Sequence, residues 1–155
     1  LMTVNIGDKA PDFDLPTYSD AHLSLKDLKG KNVVLYFYPK DMTPGCTTEA
    51  QDFRDLADAF AETNTLIVGA SKDSPERHVK FKAKNNLNFD LLADEDGSLC
   101  EAYGVWQLKK FMGREFMGIV RTTFLIDSSG VIREIWPKVK VKAHAEAVLE
   151  AAKAL

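Results

Sequence analysis

The run Tyr36-Phe37-Tyr38-Pro39-Lys40-Asp41-Met42-Thr43-Pro44-Gly45-Cys46 joins an apolar, strand-forming stretch to the start of a helix and sets a thiol at the junction. Thr43 is a good N-cap. Pro44 suits the first helical position, where no backbone N–H is needed and φ is already helical. Cys46 then falls in the first turn. The free N–H groups and the positive end of the helix dipole there stabilise an anion by up to about 2 kcal/mol when partly buried, and a thiolate is the expected beneficiary. Taken alone, Thr-Pro-Gly-Cys fits an ordinary capped helix with a small buried hydrophobe at position 46 equally well, because free cysteines more often pack than react. The elements around the junction have to decide.

Val33 to Tyr38 is a continuous apolar run rich in β-formers, the mark of a central strand buried on both faces. Pro39 cannot continue its ladder. After Cys46, residues Ala50, Phe53, Ala57 and Phe60 recur at helical spacing, so the thiol lies at the end of the inward stripe. Thr65 to Ala70 is a second buried strand, and Ser74-Pro75-Glu76 opens a lysine-rich helix running to about Asn85. A short strand from Phe89 to Ala93 follows, then a turn at Asp94-Glu95-Asp96-Gly97, a short helix from Ser98 to Tyr103 and a less regular aromatic segment from Gly104 to Ile119. Thr122 to Asp127 and Val131 to Trp136 pair as a hairpin across a turn with Gly130. A last helix carries Ala145, Val148, Leu149, Ala152 and Leu155 on one face.

Ahead of these lie a loop from Gly7 to Pro11, a short hairpin of Phe13–Leu15 with His22–Ser24, and a helical turn at Leu25–Leu28. The order of elements predicts an α/β chain with a thioredoxin fold: a central mixed β-sheet flanked by helices, with an N-terminal β-hairpin extension. No linker or internal repeat divides the sequence, so residues 1–155 read as one domain.

Pro39-x-x-x-Thr43-x-x-Cys46 is similar to the active-site signature of the peroxiredoxins. The wider run Tyr-Pro-Lys-Asp-Met-Thr-Pro-Gly-Cys-Thr resembles their Q-type, or bacterioferritin-comigratory-protein, branch, and the likeness covers nearly the whole chain. It implies a thiol peroxidase that reduces hydrogen peroxide and organic hydroperoxides with no metal, haem or flavin. Such a reaction is an in-line displacement, so the site must supply one anion and stabilise a second. Cys46 is then the nucleophile, oxidised to a sulfenic acid. Thr43 offers a hydroxyl that either caps the helix or bridges sulfur and peroxide, and Pro39 walls the pocket from water. Gly-Ile-Val-Arg-Thr-Thr-Phe-Leu-Ile-Asp resembles the family segment that carries a catalytic arginine, and Arg121 matches it. A fixed cation there favours the thiolate and binds the departing oxygen. Glu49, one turn after Cys46, either orients that arginine or merely sits as an acid in the first helical turn. Trp106, Phe111 and Phe116 could line the pocket mouth, although aromatics more often pack in a core.

The second thiol departs from the pattern. Many Q-type members carry a resolving cysteine five residues after the first, where this chain has Gln51, and none occurs between 74 and 86, where another subgroup places it. Cys100 remains, and it reads as a buried structural thiol, since a bridge needs Cα atoms within about 7 Å. The expectation is a one-cysteine mechanism with an external thiol reductant, such as thioredoxin, glutaredoxin or glutathione. The alternatives are an atypical two-cysteine peroxidase using Cys100 and a non-catalytic binding or chaperone-like protein on the same fold. A thioredoxin-like disulfide oxidoreductase needs Cys-x-x-Cys at this helix start, and position 49 is Glu.

Composition narrows the partners. Lys and Arg total 20 against 23 Asp and Glu, a net charge of −3 with no basic block, which argues against nucleic acid or an anionic membrane as the main partner. No apolar run approaches the roughly 20 residues of a membrane span. The start Leu1-Met2-Thr3-Val4 has the features of no signal peptide and reads as a natural start at Met2 with one residue before it. Lone thiols fit a reducing compartment, so a cytoplasmic location is expected, and the resemblance implies a monomer. His22, His78 and His144 show no metal-ligand spacing. Asp94-x-Asp96-Gly97 lacks the first and twelfth ligands of a calcium loop, where Leu92 and Tyr103 stand.

Overall fold

The computed structural model describes residues 4–18 and 21–155, so the expected start at Met2 lies outside the described residues. In chain order the strands and helices are β1 (Asp14–Tyr18), β2 (Ala21–Ser24), β3 (Asn32–Phe37), α1 (Pro44–Glu62), β4 (Thr65–Ser71), α2 (Pro75–Lys84), β5 (Asp90–Ala93), α3 (Ser98–Ala102), β6 (Trp106–Phe111), β7 (Arg114–Ile119), β8 (Thr122–Ile126), β9 (Ile132–Trp136) and α4 (His144–Lys153). β3 is buried at every position but its first. A strand apolar on both faces belongs inside a sheet, and β3 is the middle strand of five in the order β5-β4-β3-β8-β9. β4 pairs parallel with β3 and β5 with β4, whereas β8 pairs antiparallel with β3 and β9 with β8. Pro39 ends the ladder as expected: the Tyr38 N–H still donates to Ala70 O at 3.1 Å, and no donor follows it.

Successive residues of β3 face opposite sides, and two cores form on them. Val34, Tyr36 and Tyr38 pack with Cys46, Ala50, Phe53 and Phe60 of α1, Phe81 of α2, and Ala145, Val148, Leu149 and Ala152 of α4. Val33, Leu35 and Phe37 pack with Leu99 and Cys100 of α3, Tyr103, Phe124 and the N-terminal Ala10 and Phe13. Phe53 is fully buried and stacks on Tyr36 with centroids 4.7 Å apart; its burial alone is worth about 1.5–3 kcal/mol. Gly69 in β4 makes room for that stack. A Cβ there would lie 2.8 Å from Leu91 Cδ2 and 3.0 Å from Tyr36 Cζ.

Two expectations are corrected. The segment 104–119 is regular: β6 and β7 form a two-stranded antiparallel hairpin from Trp106↔Ile119 to Phe111↔Arg114. Its two-residue turn is Met112-Gly113, with φ of 51° and 78°. Both residues adopt the positive φ of a tight hairpin turn, and methionine is a poor advertisement for that conformation. The last helix ends at Lys153, which leaves Leu155 41% exposed instead of on the buried face.

Candidate active site

Strand β3 stops beside the start of β8, with Phe37 paired to Thr122. The loop after β3 and the residue before β8 therefore meet at one end of the sheet. Thr43 is the N-cap of α1 in extended conformation, and its side chain makes no capping hydrogen bond. The hydroxyl instead donates to Lys40 O at 2.7 Å. Pro44 occupies the first helical position as expected. Cys46 is 2% exposed and sits at the top of the inward stripe. Arg121 reaches across from β8: Nη2 donates to Cys46 Sγ at 3.4 Å, and Nη1 donates to Glu49 Oε1 at 2.6 Å. Gly45 lies against this fork, where a Cβ would meet Nη2 at 3.4 Å, an ordinary contact distance. Glu49 thus accepts a hydrogen bond from the arginine that also reaches Cys46.

Burial tunes the charges. The Glu49 side chain is 1% exposed. Burial pushes its carboxyl up to about 7, with the Arg121 charge and hydrogen bond pulling it back. Oε2 of Glu49 has no hydrogen-bond partner among the described residues. Burial also works against the Arg121 cation, but Glu49 and Cys46 outweigh it and hold the guanidinium charged. Two further groups feel that charge. His144, whose Nε2 lies 2.8 Å from Thr123 Oγ1, is lowered to about 4 by burial and then by Arg121. Lys109 is lowered by burial and by Arg121, while Cys46 raises it, and its Nζ donates to Ile119 O at 2.9 Å.

A buried sulfur on a helix's first turn, gripped by a guanidinium that a carboxylate holds from behind, can act as an activated thiolate with a cation ready for a second anion. Comparison with known proteins agrees with that chemistry. Residues 6–135 match the AhpC/TSA family. The chain is 55% identical over 152 residues to peroxiredoxin Bcp of Bacillus subtilis, covering 98% of this chain and 97% of that protein. It is a peroxiredoxin of the AhpC/TSA family. This peroxiredoxin is also 44% identical over 143 residues to peroxiredoxin Bcp of Escherichia coli K12, covering 92% of each. Among solved structures, the bacterioferritin comigratory protein of Xanthomonas campestris aligns with a TM-score of 0.87 at 42% identity, covering 92% of this chain and 90% of that one. A cysteine-to-serine mutant of Xylella fastidiosa PrxQ aligns at 0.93 and 39%, covering 99% and 98%. The thioredoxin fold is thereby shown, and with it membership of a family of thiol peroxidases.

The remaining expected residues are more scattered in this peroxiredoxin. Pro39 is half-buried directly before the loop. Cys100 is fully buried on α3, and burial and then Asp94 push its thiol up. It packs against Val33, Leu35 and Phe37, on the side of β3 opposite to Cys46, so the sheet itself stands between the two thiols. Trp106 is half-buried with Lys72 Nζ 4.2 Å over its ring. Phe111 and Phe116 are 66% and 46% exposed, not core, because among the described residues the β6–β7 hairpin pairs only with itself. Cys46 lines none of the cavities of about 200, 380 and 360 Å³ found elsewhere.

Sequence spacing missed Lys109 and the grouping of Asp41, Asp73 and His78, whose ligand atoms come within 4.8 Å of one another. These three stand on the loop after β3, after β4 and on α2, and no periodic pattern joins them.

Proposed function

We propose that this peroxiredoxin reduces hydrogen peroxide and organic hydroperoxides through Cys46 in a one-cysteine cycle. The observation that carries the proposal is the fork of Arg121, which touches Cys46 Sγ at 3.4 Å and Glu49 Oε1 at 2.6 Å. The thiolate attacks the terminal oxygen of RO–OH, an S–O bond forms as the O–O bond breaks, and the electron pair leaves on the RO oxygen. That alkoxide or hydroxide takes a proton to become alcohol or water, and Cys46 is left as a sulfenic acid. The Arg121 cation meets the charge as it develops on the leaving oxygen. Thr43 has committed its hydroxyl proton to Lys40 O, so its lone pairs accept the O–H of the peroxide. Pro39 has no N–H and keeps that side of the thiol apolar.

Placement of the two thiols on opposite sides of the sheet supports resolution by an external thiol. One such thiol condenses with the sulfenic acid, releasing water, and a second reduces the mixed disulfide. Thioredoxin, glutaredoxin or glutathione would serve. Among the described residues no helix is long and apolar enough to cross a membrane. A cytoplasmic location and a monomeric state belong to the same proposal.

The test is a single turnover of fully reduced protein with one equivalent of hydrogen peroxide, read by thiol counting and intact mass. Rapid loss of one thiol, with a trapped sulfenate on Cys46 and no reaction in Cys46→Ser, is the expected result. Loss of both thiols without gain of oxygen would assign resolution to Cys100. A reaction no faster than that of free cysteine would remove the peroxidase reading.

A further inference from the structure

We propose that His78 is a positioning residue for peroxide recognition, acting through Asp41 and the loop after β3 on the hydroxyl of Thr43; the proposal rests on the roles given above to Cys46 and Thr43. The loop needs an outside hold. Met42 sits at φ 67°, a conformation that side-chain-bearing residues seldom adopt unless the surroundings over-determine it. Met42 is itself 39% exposed and supplies little packing.

Asp41 supplies the hold, and each of its polar groups is engaged. The backbone N–H donates to Asp73 Oδ2 at 2.8 Å, and the backbone oxygen accepts from Arg77 Nη2 at 3.1 Å. The carboxylate accepts from Tyr38 OH at 2.5 Å on Oδ1 and faces His78 Nδ1 at 2.6 Å on Oδ2. Asp73 is held in turn by the Ser71 hydroxyl at 2.6 Å and by Arg77 Nε at 3.0 Å. The Asp41 and His78 side chains are 0% and 1% exposed. His78 Nε2 lies 2.9 Å from Leu92 O. A carbonyl only accepts, so Nε2 donates to it, and Nδ1 faces the Asp41 carboxylate. Every ligand atom of the Asp41, Asp73 and His78 group is thus committed inside the protein, which makes the group a clamp and not a metal site.

The clamp reaches the chemistry through one residue. Lys40 O is the carbonyl adjoining Asp41, and it receives the Thr43 hydroxyl proton. While that carbonyl points at Thr43, the hydroxyl's lone pairs are free for the peroxide. If the loop relaxes, the hydroxyl can turn and donate to sulfur or to water. His78 therefore governs how peroxide is received. Arg121, which holds the sulfur, donates its side-chain hydrogen bonds to Glu49 and Cys46 and, among the described residues, none to the loop.

The experiment compares wild type, His78→Gln, His78→Asn and Tyr38→Phe as reduced full-length proteins. Two rates are measured: single-turnover reaction with hydrogen peroxide by stopped flow, and alkylation of Cys46 by iodoacetamide, which needs the thiolate but no peroxide recognition. In His78→Gln the peroxide rate should fall by about a hundredfold, the scale of an approximately 1 Å misplacement of a positioning group, while alkylation does not fall. In His78→Asn the amide nitrogen takes the place of Nδ1 against Asp41, so the peroxide rate should stay well above that of His78→Gln. Tyr38→Phe should lose peroxide rate alone, and it carries the test if His78→Gln does not fold.

A wild-type peroxide rate in His78→Gln, or in Tyr38→Phe where that variant stands in, overturns the proposal. So does a parallel fall of both rates, or equal damage in the Asn and Gln variants. A wild type that reacts no faster than free cysteine overturns the peroxidase reading itself, a result distinct from the others.

Discussion

Glu49→Gln should change how stability depends on pH. Burial lifts the Glu49 carboxyl from an ordinary 4.5 to about 7, so between those values the folded protein keeps a proton that the unfolded chain has lost. Stability from this group is complete below 4.5 and is lost as pH rises to about 7, and the amount at stake is about 3 kcal/mol. His144 works in the opposite sense. It is lowered from 6.5 to about 4, so its contribution is complete above 6.5 and is lost as pH falls through about 4, again about 3 kcal/mol. Over the shared interval the two slopes cancel in the wild type. In Glu49→Gln only the His144 slope survives, so the variant should gain about 3 kcal/mol on wild type between pH 4.5 and 7. Other titrating groups are common to both proteins and drop out of the difference, and loss of the bond to Arg121 enters only as an offset. The assay is urea unfolding at a series of pH values. With a slope of about 1–3 kcal/mol per molar, the variant's midpoint minus that of wild type should rise by at least about 1 M over that range. A gap that stays constant with pH would mean that Glu49 titrates in the folded protein as it does in the unfolded chain, and the electrostatic account of the site would fail.

Arg121→Lys keeps the charge but loses the fork, because a single ammonium cannot hold Glu49 at 2.6 Å and reach sulfur at 3.4 Å together; the peroxide rate by stopped flow should fall by about a hundredfold, and a fall of less than about threefold would contradict the bidentate reading. Cys100→Ala should cost about 1 kcal/mol in unfolding free energy and leave peroxide turnover with an external thiol intact. Lost turnover, or a Cys46–Cys100 bridge in the mass spectrum of oxidised wild type, would overturn the one-cysteine cycle.

Much of the fold was legible because the local and global signals agree. The apolar run of β3, the stop at Pro39, the Thr43-Pro44 helix start and the Gly130 turn each carry a familiar local signature, and the structure uses each one. The β6–β7 hairpin was not legible. Its strands alternate no apolar and polar faces: Leu108, Phe111, Phe116 and Met117 are all largely exposed, as is Met112 in the turn. Its turn, moreover, puts methionine where glycine or asparagine would announce positive φ. The aromatic content of this segment pointed to a core, whereas its pairing is purely internal.

The site divides along a similar line. Cys46, Thr43 and Arg121 could be placed from short segments, because each is fixed by the element it begins or precedes. The partners that set their states could not, since each depends on contacts between distant parts of the chain. Glu49 is the clearest example. From sequence, Glu49 fits equally an acid in the first helical turn and a partner of the arginine. In the structure it bonds the far side of the guanidinium, and burial lifts its carboxyl while the Arg121 charge and hydrogen bond pull it back. Asp41 and His78 follow the same logic at the other wall of the site: the acid is local to the loop, but the imidazole that fixes it arrives from 37 residues away. Helix starts and strand ends determine where the reacting atoms lie, and contacts of this longer range determine how they are charged and oriented.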